Sequence, residues 1–229
     1  MLRYPAALIF DMDGLLIDSE PISEHALGEF LGRRRLENDP DLTPQLLGKR
    51  LHDAMTIVMD WFDLEGEHAD NLAEFSELRV DMLRRGIPLM DGAVDLLEWA
   101  KSVGLKCALA TSSRRAHADV ALAVTGLAGR FDAEATGNEV VHGKPFPDLF
   151  LLAATRLGVD PAGCLVFEDA PAGIAAAKAA GMEVCWVPND HTRNLELSAT
   201  PDYKATTLFE PLAWLEAEHD RAAAGVATS

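Results

Sequence analysis

Two aspartates stand one residue apart at the end of an apolar run, in the stretch LIFDMDGLLIDSE that covers residues 8–20. Read alone, the pair Asp11 and Asp13 also fits a turn, since aspartate and glycine favour turns. Buried carboxylates are costly unless a cation neutralises them, however. A carboxylate beside a bound cation can attack phosphorus, and a second carboxyl can transfer the protons. We predict that Asp11 is a nucleophile and that Asp13 is a general acid and base.

Six further polar residues follow or adjoin later apolar runs, where strands are expected to end. They are Thr111, Ser112, Ser113, Lys144, Glu168 and Asp169. Ligands of an open α/β sheet bind beyond the carboxyl ends of its strands, so we expect Asp11, Asp13 and Asp169 to converge there. Such a group of hard oxygen ligands suits Mg²⁺, with Glu168 as a further candidate ligand. The sequence therefore predicts a magnesium site.

The other members of this group can hold a phosphoryl group. Lys144 would offset the charge of the phosphoryl oxygens, and the Thr111 hydroxyl would bind them together with nearby backbone N–H groups. Ser112 and Ser113 precede a predicted helix, whose N-terminus they can cap and which is itself an anion site. Gly14 allows a tight turn beside the phosphate. A nucleophile, an acid/base, a metal site and cations are what phosphoryl transfer requires.

The elements that would position these residues alternate through the second half of the chain. Apolar runs predict strands that are buried on both faces. Segments of helical periodicity lie between these runs. The predicted strands are 106–113, 131–136, 164–170 and 182–188, and the predicted helices are 91–103, 114–125, 147–157 and 171–180. Such alternation indicates an α/β fold with a parallel sheet between two helical layers.

The first strand breaks this alternation, because no strand pattern returns between Phe10 and about Lys106. A parallel crossover needs only a dozen or so residues, and the intervening segment has helical periodicity. We predict that residues 19–87 form an inserted helical cap domain and that residues 1–18 and 88–229 form the catalytic core. Inserted domains beside the carboxyl end of a sheet commonly act as lids. The last residues, 217–229, are expected to fray.

Composition restricts the partners of the protein. The chain has 229 residues and a net charge of -17, which argues against nucleic acid or an anionic membrane as a partner, since both require a basic surface. No apolar run approaches the roughly 20 residues of a membrane span. Three cysteines without metal-type spacing are typical of free core thiols in a reducing cytoplasm. We expect a cytoplasmic monomer whose partner is a small molecule.

Four segments resemble, in order and spacing, the motifs of the haloacid dehalogenase-like hydrolase superfamily. They are DMDGLLIDSE, ALATSS, GKPFPD and VFEDAPAGIAAAKAAGM. The subgroup is the one with a helical cap after the first motif, which includes β-phosphoglucomutase. The core is most similar to pseudouridine-5'-phosphatases and glycerol-3-phosphatases. The resemblance implies a Rossmann-like core with Asp11 as nucleophile, Asp13 as acid/base, Thr111 and Lys144 as phosphate contacts, and Asp169 and the Asp13 carbonyl as metal ligands.

The resemblance also implies a function and two alternatives. The expected enzyme is a Mg²⁺-dependent phosphatase of a small phosphorylated metabolite that works through an aspartyl-phosphate. Lys49 and Arg50 stand where capped relatives present substrate contacts. A phosphomutase is the second interpretation, although Ser23 occupies the position of a histidine that assists the acid/base in β-phosphoglucomutase. A non-catalytic binding protein with the same fold is the third.

Overall fold

The computed structural model describes residues 4–46 and 49–226. Within them, six strands form one parallel sheet in the order β3-β2-β1-β4-β5-β6. The strands are β1 (Ala7–Phe10), β2 (Lys106–Thr111), β3 (Ala133–Thr136), β4 (Cys164–Glu168), β5 (Glu183–Trp186) and β6 (Tyr203–Lys204). The first strand thus lies inside the sheet, between β2 and β4, and the polar residues that follow these three strands share one edge.

Helices cover both faces of the sheet. On one face, Leu8 and Phe10 of β1 belong to an apolar cluster with α5 (Ala93–Ser102), α6 (Arg115–Thr125) and α9 (Phe209–Val226). On the other face, Ala7 and Ile9 join α7 (Asp148–Leu157) and α8 (Pro171–Ala179). Burial on both faces explains why the strands read as continuous apolar runs. The predicted Rossmann-like α/β fold is confirmed.

The chain between β1 and α5 is helical, as the insertion predicts. Its helices are α1 (Glu20–Gly32), α2 (Thr43–Leu46), α3 (Leu51–Phe62) and α4 (His68–Leu83). Their apolar faces meet in a separate cluster that includes Phe30, Met55 and Phe75. The Asp18 N–H donates to the Pro88 carbonyl at 2.9 Å, so the two connections to the core run side by side. We propose that the cap comprises residues 19–87.

Three details differ from the expectations. Helical periodicity continues through residues 45–62, yet α2 ends at Leu46 and α3 begins only at Leu51, after an extended Arg50; Leu47 and Gly48 lie outside the described residues. Strand β6 has only two residues, too few to make a pattern. Helix α9 continues to Val226 through residues expected to fray, and His219 on this helix bonds Tyr4 at 3.0 Å.

The expectations about membrane spans and about the cysteines can be compared with the part of the chain that the structure describes. Among its helices, none is both long and apolar enough to cross a lipid bilayer. The cysteines Cys107, Cys164 and Cys185 are buried and free. Burial raises the pKa of the Cys107 and Cys185 thiols to about 12. These cysteines therefore act as small apolar core residues.

Candidate active site

The loops after β1, β2 and β4 meet at one edge of the sheet, facing the cap. Phe10 is opposite Leu109 of β2 and Phe167 of β4 in the parallel register, so the polar residues that follow these strands are adjacent. A cavity lies between this edge and the cap helices. The predicted site residues that line it are Asp11, Asp13, Lys49, Ser112, Ser113, Lys144, Glu168 and Asp169.

Lys144 is buried among acidic residues at the base of this cavity. Its Nζ lies 2.5 Å from Oδ1 of Asp11 and 2.5 Å from Oε1 of Glu168. Only 2% of its side chain is exposed. Burial favours the neutral amine, but the two carboxylates outweigh burial and raise the pKa of Lys144 above its ordinary value. Lys144 is therefore a charged residue of the site and not a surface lysine.

A group of three buried carboxylates offers a place for a cation. One oxygen each from Asp11, Glu168 and Asp169 lies within 4.8 Å of the other two. Burial raises the pKa of Asp11 to about 8, against the opposing charge of Lys144. Burial and then the charge of Glu168 raise the pKa of Asp169 well above its ordinary value. One lysine cannot neutralise three carboxylates, so this oxygen donor set fits a hard divalent cation such as Mg²⁺.

Magnesium is expected to raise the melting temperature more at pH 8 than at pH 5. The folded-state pKa values of Asp11 and Asp169 exceed their unfolded values. Their contribution to stability is therefore present at low pH and is lost as the pH rises, for Asp11 through about 8. A cation competes with these protons, so it binds more tightly as the pH rises. Ligand at 100 times its Kd contributes about 2.7 kcal/mol, roughly 5 to 10 °C for a chain of this size.

Thermal unfolding at both pH values, with MgCl₂ and with NaCl of equal ionic strength, measures this effect. The variant Asp169→Asn provides the matched control, because it removes one carboxylate of the group and should reduce the magnesium-dependent rise. A rise of equal size at pH 5 and pH 8, or one that NaCl reproduces, would contradict the expectation.

Glu168 is held from two sides. Its Oε1 accepts from Lys144, and its Oε2 accepts the backbone N–H of Ala170 at 2.9 Å. Gly173 of α8 packs directly against this carboxylate, so that a Cβ atom at position 173 would overlap it. The orientation of Glu168, and through it that of Lys144, therefore depends on a glycine.

Gly173→Ala is expected to lower both activity and stability. The added methyl group displaces the Glu168 carboxylate, and overpacking of this kind costs about 1–3 kcal/mol. Gly28→Ala in α1 is the matched control, because nothing lies within 4 Å of its Cβ position; alanine there should stabilise the helix by about 0.5–1 kcal/mol. Urea unfolding and phosphate release measure both variants. Equal behaviour of the two would show that Glu168 has room to move.

Asp13 is held by the loop after β2. The Ser113 hydroxyl donates to Oδ2 of Asp13 at 2.8 Å, and the Thr111 hydroxyl donates to the same oxygen at 3.3 Å. Burial raises the pKa of Asp13, but the charges of His117 and Arg79 and the bond from Ser113 lower it below its ordinary value. A phosphate dianion bound nearby would raise it again. Thr111 and Ser113 thus position the carboxyl group in this structure.

Asn189 is a site residue that the sequence reasoning missed. Its Nδ2 donates to the Gly14 carbonyl at 3.0 Å and to Oδ2 of Asp169 at 2.9 Å, and so ties the loops after β1 and β4 together. Gly14 has a φ of 82°, and a Cβ there would lie 2.7 Å from both Asn189 Nδ2 and Asp169 Oδ2. Only glycine fits this position. The signal that could have found Asn189 is its place just after β5, at the carboxyl edge of the sheet.

The cap contributes cations to the other side of the cavity. Arg79 of α4 is buried, and its Nη2 donates to the Ser23 hydroxyl at 3.2 Å. Lys49 also lines the cavity. Arg50 instead bonds Asp53 at 2.9 Å and the Val141 carbonyl at 3.1 Å, and so links the cap to the loop that carries Lys144. Sequence reasoning missed Arg79, because helical periodicity does not show which residues face a cavity.

Comparison with known proteins identifies the family of this chain. The model of the haloacid dehalogenase-like hydrolase family matches residues 5–181. The chain belongs to this family. The hydrolase family is the one that the four motifs indicate, so the predicted relationship and the prediction of an enzyme are both confirmed.

Two curated relatives of this hydrolase are named as phosphatases. Fructose-1-phosphate phosphatase YqaB of Escherichia coli K12 is 40% identical over 185 residues, which cover 79% of this chain and 95% of that protein. A probable pseudouridine-5'-phosphatase of Drosophila melanogaster is 34% identical over 195 residues, with coverages of 82% and 84%. The crystal structure of CbbY from Rhodobacter sphaeroides in complex with phosphate has a TM-score of 0.81 at 27% identity, with coverages of 90% and 96%.

Proposed function

We propose that this hydrolase is a Mg²⁺-dependent phosphatase of a small phosphorylated sugar, polyol or nucleotide monophosphate, which it hydrolyses through an aspartyl-phosphate. The observation that carries the proposal is the buried Lys144, which contacts Asp11 and Glu168 beneath a cap-covered cavity. A buried cation beside a carboxylate nucleophile is what a phosphoryl group with its negative oxygens requires. The phosphatase names of both relatives support the same chemistry.

In the proposed first step, a carboxylate oxygen of Asp11 attacks phosphorus, and the ester oxygen leaves with a proton from Asp13. In the second step, water attacks the aspartyl-phosphate and Asp13 takes a proton from it. Lys144 offsets the charge of the phosphoryl oxygens throughout. The Ser112 hydroxyl, which lines the cavity and has no hydrogen-bond partner among the described residues, is positioned to bind one of these oxygens.

Carboxylate residues of the same site would hold the metal ion. The side chains of Asp11 and Asp169 and the backbone carbonyl of Asp13 are the proposed ligands, with Glu168 as a further ligand. When bound, Mg²⁺ supplies positive charge that favours the ionised form of Asp11 and offsets the charge of the phosphoryl group.

The cap side of the cavity would receive the leaving group. Leu27 and Phe75 provide an apolar surface there, while Arg79 and Lys49 provide donors for oxygen atoms. This combination fits a small molecule that has both carbon surface and hydroxyl groups. Arg50, also predicted to contact the substrate, would first have to exchange its bond to the Val141 carbonyl.

A panel of phosphate esters tests the proposed function. We expect phosphate release from at least one of fructose 1-phosphate, pseudouridine 5'-phosphate and glycerol 3-phosphate, with loss of activity in EDTA and recovery with Mg²⁺. β-Glucose 1-phosphate distinguishes the alternatives, because free phosphate indicates hydrolysis and glucose 6-phosphate indicates a mutase. Failure to convert any of these esters would favour a non-catalytic binding protein.

The cellular setting remains part of the proposal. A monomer in the cytoplasm, with a small phosphate ester as its partner, is consistent with three buried free thiols and a net charge of -17. That charge disfavours nucleic acid and anionic membranes as partners. It also means that the anionic substrate must be attracted locally, by cations such as Lys144 and Arg79 that face the cavity.

A further inference from the structure

His117 is a buried histidine beside the proposed acid/base. It lies in the first turn of α6, and its side chain is 4% exposed. Its Nε2 is 3.9 Å from Oδ1 of Asp13. Neither ring nitrogen of His117, nor this oxygen of Asp13, has a hydrogen-bond partner among the described residues. Buried polar atoms without partners cost free energy, so a bond across this short gap would satisfy two of them.

Besides His117, the Ser19 hydroxyl is buried without a hydrogen-bond partner in the described part of the chain, and it lies close enough to Asp13 to lower the pKa of its carboxyl group. Ser113 and Thr111 both donate to Oδ2 of Asp13, so the carboxyl group is held at one oxygen only. Helix α4 of the cap packs against α6, which places the guanidinium of Arg79 near the same pair. His117 can donate from Nε2–H to Asp13 whether its ring is neutral or charged.

We propose that His117 is a positioning residue for Asp13, with its proton on Nε2. When the substrate binds, Nε2–H donates to Oδ1 while Ser113 keeps its bond to Oδ2. Hydrogen bonds of catalytic groups are often long in the free enzyme and shorten in the substrate complex. The carboxyl group is then fixed from both sides, with its acidic proton directed at the ester oxygen. This inference rests on the proposed function, in which Asp13 protonates the leaving group.

Two esters of similar shape test the role of His117. 4-Nitrophenolate leaves without needing a proton, whereas the more basic phenolate leaves better with one. His117→Phe should therefore lower kcat/KM for phenyl phosphate about 10- to 100-fold, while kcat/KM for 4-nitrophenyl phosphate changes by less than about threefold, because kcat/KM does not include the later hydrolysis of the aspartyl-phosphate, in which Asp13 also acts. His117→Gln keeps an N–H near the position of Nε2, and should recover most of the lost activity on phenyl phosphate.

The controls separate this inference from the proposed function. A merely structural role would lower kcat/KM equally for both esters, and equal loss or no loss of kcat/KM in His117→Phe overturns the inference. If His117→Phe shows no cooperative thermal unfolding transition and is therefore not folded, His117→Leu provides the same comparison with a smaller side chain. Asp13→Asn should show the same preference more strongly. If Asp13→Asn shows the preference and His117→Phe does not, only the inference fails; if neither shows it, the proposed acid role fails as well.

Discussion

Asp11→Asn is expected to lower the rate of phosphate ester hydrolysis by about 10⁴-fold or more. The amide has nearly the shape of the carboxylate, so the cavity and the contact with Lys144 remain close to those of the wild type. It is a far weaker nucleophile towards phosphorus than a carboxylate, however, and no aspartyl-phosphate can form. Single-turnover measurements with radiolabelled phosphate ester, quenched in acid, should yield labelled wild-type protein and unlabelled variant.

Asp18→Asn is the matched control for this change. Asp18 follows the same strand but belongs to the connection between core and cap, and does not line the active-site cavity. Its activity should stay within about twofold of the wild type, as for substitutions away from special features. Near wild-type activity in Asp11→Asn, or label that remains on this variant, would show that Asp11 is not the nucleophile.

Lys144→Met is expected to have the second largest effect, a fall of about 10³-fold in kcat/KM. Methionine has a similar length and fills the same space, but it leaves Asp11 and Glu168 without the cation that lies 2.5 Å from each of them. Loss of one partner from a buried ion pair costs about 3–5 kcal/mol of stability. The loss should be larger at pH 8 than at pH 5, since burial raises the pKa of Asp11 to about 8 and its carboxyl group can bind a proton below that pH.

Lys178→Met is the control for this variant. Lys178 pairs with Asp202 on the surface, where both side chains are about one-third exposed, at 34% and 32%. Such a pair contributes at most about 1 kcal/mol, so its loss should leave activity unchanged and should depend little on pH. Urea unfolding at pH 5 and pH 8 compares the two variants. If both lose equal stability, or if Lys144→Met keeps its activity, Lys144 does not have the assigned role.

Most of the fold could be predicted because the apolar pattern of each strand in the sequence matches its burial in the folded protein. Strands such as β1 and β4 are buried on both faces, so their residues are apolar throughout, and each polar residue after a strand marks the carboxyl edge of the sheet. The place of Lys144 beside Asp11 could be predicted although the two are far apart in sequence, because Lys144 belongs to a motif whose order along the chain is informative. Chemistry concentrated at strand ends is readable from one sequence.

The remaining site residues depend on how elements pack, which periodicity does not record. Arg79 lies in the C-terminal half of the cap helix α4, and the direction of its side chain follows from the way α4 packs against the core. His117 shares the first turn of α6 with one other polar residue, Arg115, and unlike Arg115 it is buried. Asn189 acts through bonds to two other loops. Each of these residues is defined by contacts that form only in the tertiary structure.

The central place of β1 has a consequence for how the chain assembles during synthesis. Ala7 pairs with Lys106 on one side and with Cys164 on the other, so β1 leaves the ribosome well before either of its neighbouring strands exists. The cap helices, whose contacts are local, can form in the meantime. The pairings of β1 with β2 and of β1 with β4 each close a long loop, and closing these loops is the slow part of assembly. Until β4 is in place, the exposed edge of β1 makes nascent chains prone to aggregation.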